Sequence, residues 1–208
     1  MKRECKKNVI FDMGNVLLTY DPEVCLRQIV KEEEDRKLIR RELFEGPEWI
    51  QGDLGELTDE ERFDGVSRRV PERLHEELRR CTVEWDMCMQ PVAQAKEFCE
   101  YLKKQGFGIY VLSNASSSFY RYFPRFAPFD YFDGIVVSCD VHVIKPDIQI
   151  YRHLLEKYEL RAEDCFFIDD IEANIAGAKK AGIDGVVFKG DFRQIKNSIE
   201  FAAWVGVY

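Results

Sequence analysis

Five short apolar runs limit what this chain can fold into more than any other feature: NVIFDM (8–13), FGIYVLSN (107–114), GIVVSC (134–139), CFFIDD (165–170) and DGVVFKG (184–190). Runs this short, without polar alternation, read as strands buried on both faces. Helical patterns stand between them. VAQAKEFCEYLKKQG closes at Gly106, DIQIYRHLLEKYE follows Pro146, and IEANIAGAKKAGI ends at Gly182. Strand alternating with helix predicts an α/β fold, a doubly wound (Rossmann-like) parallel sheet.

Residues 21–90 interrupt that alternation. PEVCLRQIVKEEEDRKLIRRELF spaces Val24, Ile29, Leu38 and Leu43 helically, with the charged run KEEEDRK expected on a solvated face. Thr58 with Glu61 three residues later forms a capping box, and Pro71 opens a further helix. The organisation expected is therefore a core domain of residues 1–20 and 91–208 with an inserted all-helical cap domain of residues 21–90. The glycine-rich stretch FEGPEWIQGDLGELT (44–58) reads as a break in the helical pattern. Its Trp49 and Gln51 suit the opening of a site beneath the cap, and Trp49 suits the cap core equally well.

Charge narrows the partners. The chain carries a net charge of −8, and residues 21–90 hold all of it, with 20 acidic against 12 basic side chains. Without a basic stripe, nucleic acid and anionic membrane surfaces are excluded as partners. An acidic lid opposes a large polyanion and leaves a small phosphorylated metabolite as the expected partner; a monomer and a homodimer fit equally well. No apolar stretch approaches the ~20 residues needed to span a bilayer, and the basic start MKRECKKNVIF breaks at Asp12 too early for a signal peptide. The seven cysteines, at 5, 25, 81, 88, 99, 139 and 165, form no CxxC pair and read as reduced thiols in a cytoplasmic protein.

Chemistry gathers where the strands end. Open parallel sheets bind ligands outside the carboxyl ends of their strands, and there stand Asp12, Ser113–Asn114, Lys145 and Asp169–Asp170. Converging carboxylates repel: two unit charges ~4 Å apart cost about 4 kcal/mol at an effective dielectric of 20. Lys145 supplies one compensating charge, and a hard divalent cation such as Mg²⁺ would supply two more. A carboxylate, a hydroxyl–amide pair, a lysine and a metal describe phosphoryl transfer: Asp12 attacks phosphorus, Lys145 and the metal neutralise the phosphoryl oxygens, and Ser113 orients them.

FDMGNVL, VLSNAS, VIKPDIQIY and FFIDDIEANIAGAKKAGI, in this order and spacing, resemble the four motifs of the haloacid dehalogenase (HAD) superfamily, and the resemblance covers nearly the whole chain. It implies Asp12 as the nucleophile that forms an aspartyl-phosphate, and Mg²⁺ held by Asp12, the Gly14 carbonyl and Asp170. Asp169 would sit on the metal or directly behind it, with Ser113, Asn114 and Lys145 around the phosphate. The helical insert resembles the cap of the subgroup that includes small sugar-phosphate phosphatases.

The usual first motif of that superfamily is D-x-D-G-[TV], whose second Asp moves the protons; here the segment reads Asp12-Met13-Gly14-Asn15-Val16. Asn15 suits the left-handed turn, and a metal-binding carbonyl survives because it is backbone. The side-chain acid–base group, a contribution of about 10²–10⁴-fold, is missing. This variant is similar to a bacterial branch of glucose-1-phosphate phosphatases. Dehalogenases of the superfamily generally carry a tyrosine here and an arginine shortly downstream, neither of which is present. A phosphonate-cleaving member would need a cap lysine, and the cap's lysines, Lys31 and Lys37, lie in or beside the charged run. The expected activity is a Mg²⁺-dependent phosphatase acting on a small phosphomonoester, a sugar phosphate. The alternative is a phosphate-binding protein that Gly14 has deprived of turnover. His142, His75 and the cap carboxylates are the groups available to replace the missing acid.

Overall fold

The computed structural model describes residues 7–196 and Phe201. Its strands are β1 (Asn8–Phe11), β2 (Gly108–Ser113), β3 (Gly134–Val137), β4 (Cys165–Asp169) and β5 (Asp184–Val187). Between β1 and β2 come α1 (Pro22–Ile29), α2 (Glu33–Ile39), α3 (Pro47–Asp53), α4 (Asp59–Ser67), α5 (His75–Glu84) and α6 (Ala95–Lys104). The one-turn helices α7 (Phe119–Tyr122) and α8 (Ser138–Val141) flank β3, and α9 (Ile148–Lys157), α10 (Glu172–Lys180) and α11 (Phe192–Lys196) follow.

The strands pair in parallel in the order β3-β2-β1-β4-β5. Every residue of β1, β2 and β4 is buried, which is why these strands are continuous apolar runs. Alternate residues divide between the two faces: Val9, Phe11, Ile109, Val111, Phe166 and Ile168 pack on one side, and Ile10, Tyr110, Leu112 and Phe167 on the other. The winding reverses at β1, so the ligand crevice of such a sheet opens between the carboxyl ends of β1 and its neighbours. The Asp12 amide extends the ladder one residue past β1 by donating to Ile168 O at 2.8 Å.

Local structure departs from the sequence reading at three places. The apolar run 134–139 leaves the sheet at Val137, because Ser138 turns into α8 with its Oγ accepting the Ala115 amide (3.0 Å) and donating to Asp53 O (2.5 Å). The helical pattern after Pro22 splits in two: α1, capped by Asp21, ends at Val30, whose backbone is extended. The stretch 44–58, expected to break the pattern, contains α3, with Pro47 in its first turn. Gly52 permits this, since a Cβ there would lie 1.9 Å from Nη2 of the buried Arg62. The Thr58–Glu61 capping box forms as expected, with Thr58 N donating to Glu61 Oε2 at 2.9 Å and Glu61 N to Thr58 Oγ1 at 3.2 Å.

KEEEDRK is exposed apart from the half-buried Arg36 and from Asp35, which is buried under a two-pronged Arg73 contact at 2.6 and 2.7 Å. Cys25, Cys81, Cys88, Cys99, Cys139 and Cys165 are buried free thiols, and Cys5 lies outside the described residues. Among the described residues no helix is long and apolar enough to cross a membrane.

Candidate active site

The strand ends deliver a buried charge network. Lys145, in the loop ahead of α9, places Nζ 2.6 Å from Asp12 Oδ1 and 2.7 Å from Asp169 Oδ2, with its side chain 1 % exposed. Burial works against the ammonium, and the Asp12 and Asp169 carboxylates more than offset it, so the Lys145 pKa ends above the ordinary lysine value. Asn114 positions the lysine: its Nδ2 donates to Lys145 O at 3.0 Å, and its Oδ1 accepts the Lys145 amide at 2.7 Å. The Asn114 side chain therefore acts on the lysine backbone.

Asp169 is fully buried, with both oxygens engaged. Oδ1 accepts from Ile171 N (2.8 Å) and Asn174 Nδ2 (3.0 Å), and Oδ2 from Lys145 and from Asn174 Nδ2 (3.0 Å). Asp170 accepts from Asn15 Nδ2 at 3.0 Å, and Asn15 holds the left-handed backbone expected of it, at φ 55°. Its Oδ1 also accepts the Tyr20 amide at 2.9 Å, which ties the motif to the chain entering the cap.

Asp12, Asp169 and Asp170 each bring a carboxylate oxygen within 4.8 Å of the others. Burial, then Asp169 and Asp170, push the Asp12 carboxyl up to about 7 against the opposing pull of Lys145. Burial likewise raises Asp170, with Asp169 adding to it and the Asn15 amide opposing. A hard-oxygen cluster that resists its own ionisation fits a small divalent cation such as Mg²⁺. Gly14 lies beside it; a Cβ there would meet only Asp12 Oδ2, at an ordinary 3.8 Å, so nothing steric forbids a side chain at this position.

Ser113 ends β2, 1 % exposed, and its Oγ has no hydrogen-bond partner. It does not line the cleft, whereas Asp12, Gly14, Asn114, Lys145 and Asp170 do. The cleft encloses about 680 Å³ of empty space, part of it open to solvent. Its outer wall is aromatic: Trp49 and Trp85 stand 5.2 Å apart edge to face, and Tyr20 and Tyr122 lie 5.8 and 5.2 Å from Trp85. Trp49 thus lines the opening and packs in the cap together, while Gln51 is exposed and does not line the cleft.

Neither histidine weighed from the sequence lines the cleft. His142 Nδ1 pairs with Leu54 O at 2.8 Å, and His75 Nε2 with Ser67 O and Val70 O at 3.1 and 3.0 Å. The cap instead brings in Asp53, a residue inside the stretch singled out for Trp49 and Gln51. Burial pushes the Asp53 carboxyl up to about 7, against Arg62, the Ser116 amide and Lys145. A carboxyl with a higher pKa folded than unfolded contributes stability that is fully present at acid pH and lost as pH rises through the folded value. Asp53→Asn is therefore expected to match wild type near about pH 4 and to exceed it by about 2 kcal/mol near pH 8. Denaturation curves of the metal-free proteins check this; equal stability at the higher pH would contradict it.

Residues 6–182 match the family model described as haloacid dehalogenase-like hydrolase. A sesquiterpene phosphatase of Aspergillus oryzae is 26% identical over 184 residues, which are 86% of this chain and 88% of that protein. A ribulose-1,5-bisphosphate 5-phosphatase of Halopiger xanaduensis is 31% identical over 102 residues, 48% of this chain and 43% of that protein. Among solved structures, a HAD family enzyme of Bacteroides thetaiotaomicron in complex with magnesium and inorganic phosphate superposes with a TM-score of 0.72. It is 23% identical and covers 91% of this chain and 98% of its own, a likeness of fold.

Proposed function

Because the chain belongs to the haloacid dehalogenase-like hydrolases, we propose that it is a Mg²⁺-dependent phosphatase of a small phosphomonoester, a sugar phosphate, acting through an aspartyl-phosphate on Asp12. The observation that carries this reading is the Lys145 ammonium bridging Asp12 and Asp169 at the end of β1 and β4, with Asp170 beside them. Lys145 fixes Asp12 Oδ1 and so orients the carboxylate, leaving Oδ2 on the Gly14 side to attack phosphorus. The same ammonium sits where phosphoryl charge grows in the transition state. The Ser113 hydroxyl, buried without a partner and outside the lining of the cleft, gives no direct support for a phosphate contact, which falls to Lys145.

Mg²⁺, held by Asp12, the Gly14 carbonyl and Asp170, would neutralise the phosphoryl oxygens. Asp169, with both oxygens already bonded, suits a place behind those ligands, orienting Lys145. That the magnesium and phosphate complex of the Bacteroides enzyme shares this fold supports the choice of metal. The carboxylate cluster also weighs against a binding protein without turnover, because phosphate binding alone gains nothing from buried charges that repel both one another and the ligand.

The aromatic wall favours a second substrate reading, a phosphate ester with an apolar body, and the Aspergillus sesquiterpene phosphatase supports it. Phosphate release from a panel of sugar 1-phosphates, sugar 6-phosphates and isoprenoid monophosphates, with and without Mg²⁺, tests both. Metal-dependent turnover of sugar 1-phosphates is expected first. Turnover confined to isoprenoid esters would replace the sugar reading, and no metal-dependent turnover of any ester would defeat the phosphatase reading.

A further inference from the structure

We propose that Asp53, carried into the cleft by the last turn of α3, is the general acid–base residue of the reaction, in place of the carboxylate that Gly14 lacks. The assignment rests on the phosphatase reading and adds to it the group that moves the protons. In-line displacement at phosphorus puts the leaving oxygen on the side away from Asp12. With Asp12 in the floor, that side faces the cap wall, where Asp53 is the one carboxylate among the described lining residues.

The position is built rather than incidental. The Ser116 amide, in the loop after β2, lies near enough to the Asp53 carboxylate to favour its charged form. Ser138 Oγ donates to Asp53 O at 2.5 Å, and His142 pairs with Leu54 O at 2.8 Å. Gly55, at φ +73°, lets this turn lie against Cys139, whose carbonyl a Cβ would meet at 2.3 Å. These contacts fasten the cap to the two loops that also carry Asn114 and α8, so Asp53 is held relative to the phosphate floor as well as to its own helix.

The surroundings suit a group that must exist in both protonation states. Arg62 of α4 and Lys145 favour the carboxylate, while burial beside Tyr20, Tyr122 and Cys139 favours the acid. Arg62 is 1 % exposed, stacked 4.8 Å over the Trp49 ring, and its Nε and Nη2 have no hydrogen-bond partner. Its remaining nitrogen, Nη1, donates to Asp59 Oδ1 at 3.1 Å, so its influence on Asp53 is that of a nearby charge. A proton poised near neutrality is what acid–base catalysis requires.

The steps balance as follows. Asp12 Oδ2 forms a bond to phosphorus as the ester P–O bond breaks, and the Asp53 carboxylic acid gives its proton to the departing oxygen, releasing the alcohol. Water then loses a proton to the Asp53 carboxylate as its oxygen bonds to phosphorus. The Asp12–phosphorus bond breaks, and phosphate, the Asp12 carboxylate and the Asp53 acid are restored.

Asp53→Asn tests this with two esters: the best alkyl phosphate of the panel, whose alkoxide needs a proton to leave, and p-nitrophenyl phosphate, whose phenolate does not. The alkyl ester is expected to lose about 10²–10⁴-fold in kcat/KM. The aryl ester should still phosphorylate Asp12 at close to the wild-type single-turnover rate and then accumulate phosphoenzyme, seen as a burst of nitrophenolate. Equal losses on both esters mean that Asp53 only binds substrate or supports the fold, and no loss on the alkyl ester means that it moves no proton; either result overturns the assignment. A wild-type protein without turnover of any ester fails the phosphatase reading itself and takes the assignment with it, so the two failures are distinguishable.

Discussion

Asp12→Asn is expected to reduce phosphate release by on the order of 10⁴–10⁶-fold and to abolish covalent incorporation of phosphate. The amide keeps the shape of the side chain and loses the nucleophilic oxygen anion, so proximity, the Lys145 charge and the rest of the cleft remain without the bond-forming group. Because the folded protein already raises the Asp12 carboxyl to about 7, a neutral side chain there suits the fold. The metal-free variant should therefore melt no lower than wild type near neutral pH, where the Asp12 carboxylate repels Asp169 and Asp170. Stabilisation by added Mg²⁺ should shrink in the same variant, since one charged ligand has gone. Phosphate release together with a hydroxylamine-labile phosphoryl label checks the chemistry, and thermal melts with and without Mg²⁺ check the fold. A variant that keeps a tenth of wild-type turnover would remove Asp12 as the nucleophile.

What the residues alone disclosed follows from burial. The sheet was legible because β1, β2 and β4 are buried on both faces, so each is a short unbroken apolar run whose polar end marks the crevice. Asp12, Lys145 and Asp169–Asp170 could be placed from those ends. Asp53 could not. What brings it into the cleft is the docking of α3 on α8, a contact such as Ser138 to Asp53 that joins residues 85 apart and leaves no local periodicity. The glycines of 44–58 pointed to a loop by intrinsic preference, whereas Gly52 makes room for Arg62 and Gly55 for the Cys139 backbone. From sequence the Asn114 side chain reads as a ligand to phosphate, because an amide looks the same whether it faces a substrate or, as here, the backbone of the lysine beside it.

Removal of the central cation should have the largest effect on the fold. Lys145→Met keeps most of the buried stem and leaves the Asp12 and Asp169 carboxylates without the ammonium now 2.6 and 2.7 Å away. Deleting one partner of a buried ion network costs about 3–5 kcal/mol, because the remaining charges stay desolvated and uncompensated. The loss should depend on pH. Without Lys145 nothing of equal strength pulls the Asp12 pKa down, so that carboxyl stays protonated further into the neutral range and repels its neighbours less in acid. The variant should therefore be closer to wild type near about pH 5 than near pH 8. Added Mg²⁺ should restore part of the difference at the higher pH, where the carboxylates are charged and a divalent cation can stand between them. Urea denaturation at the two pH values, with and without the metal, reads all three effects. A Lys145→Met protein within about 1 kcal/mol of wild type at both pH values would mean that water reaches these carboxylates, and the charge network would then be too well solvated to hold a nucleophile in one orientation.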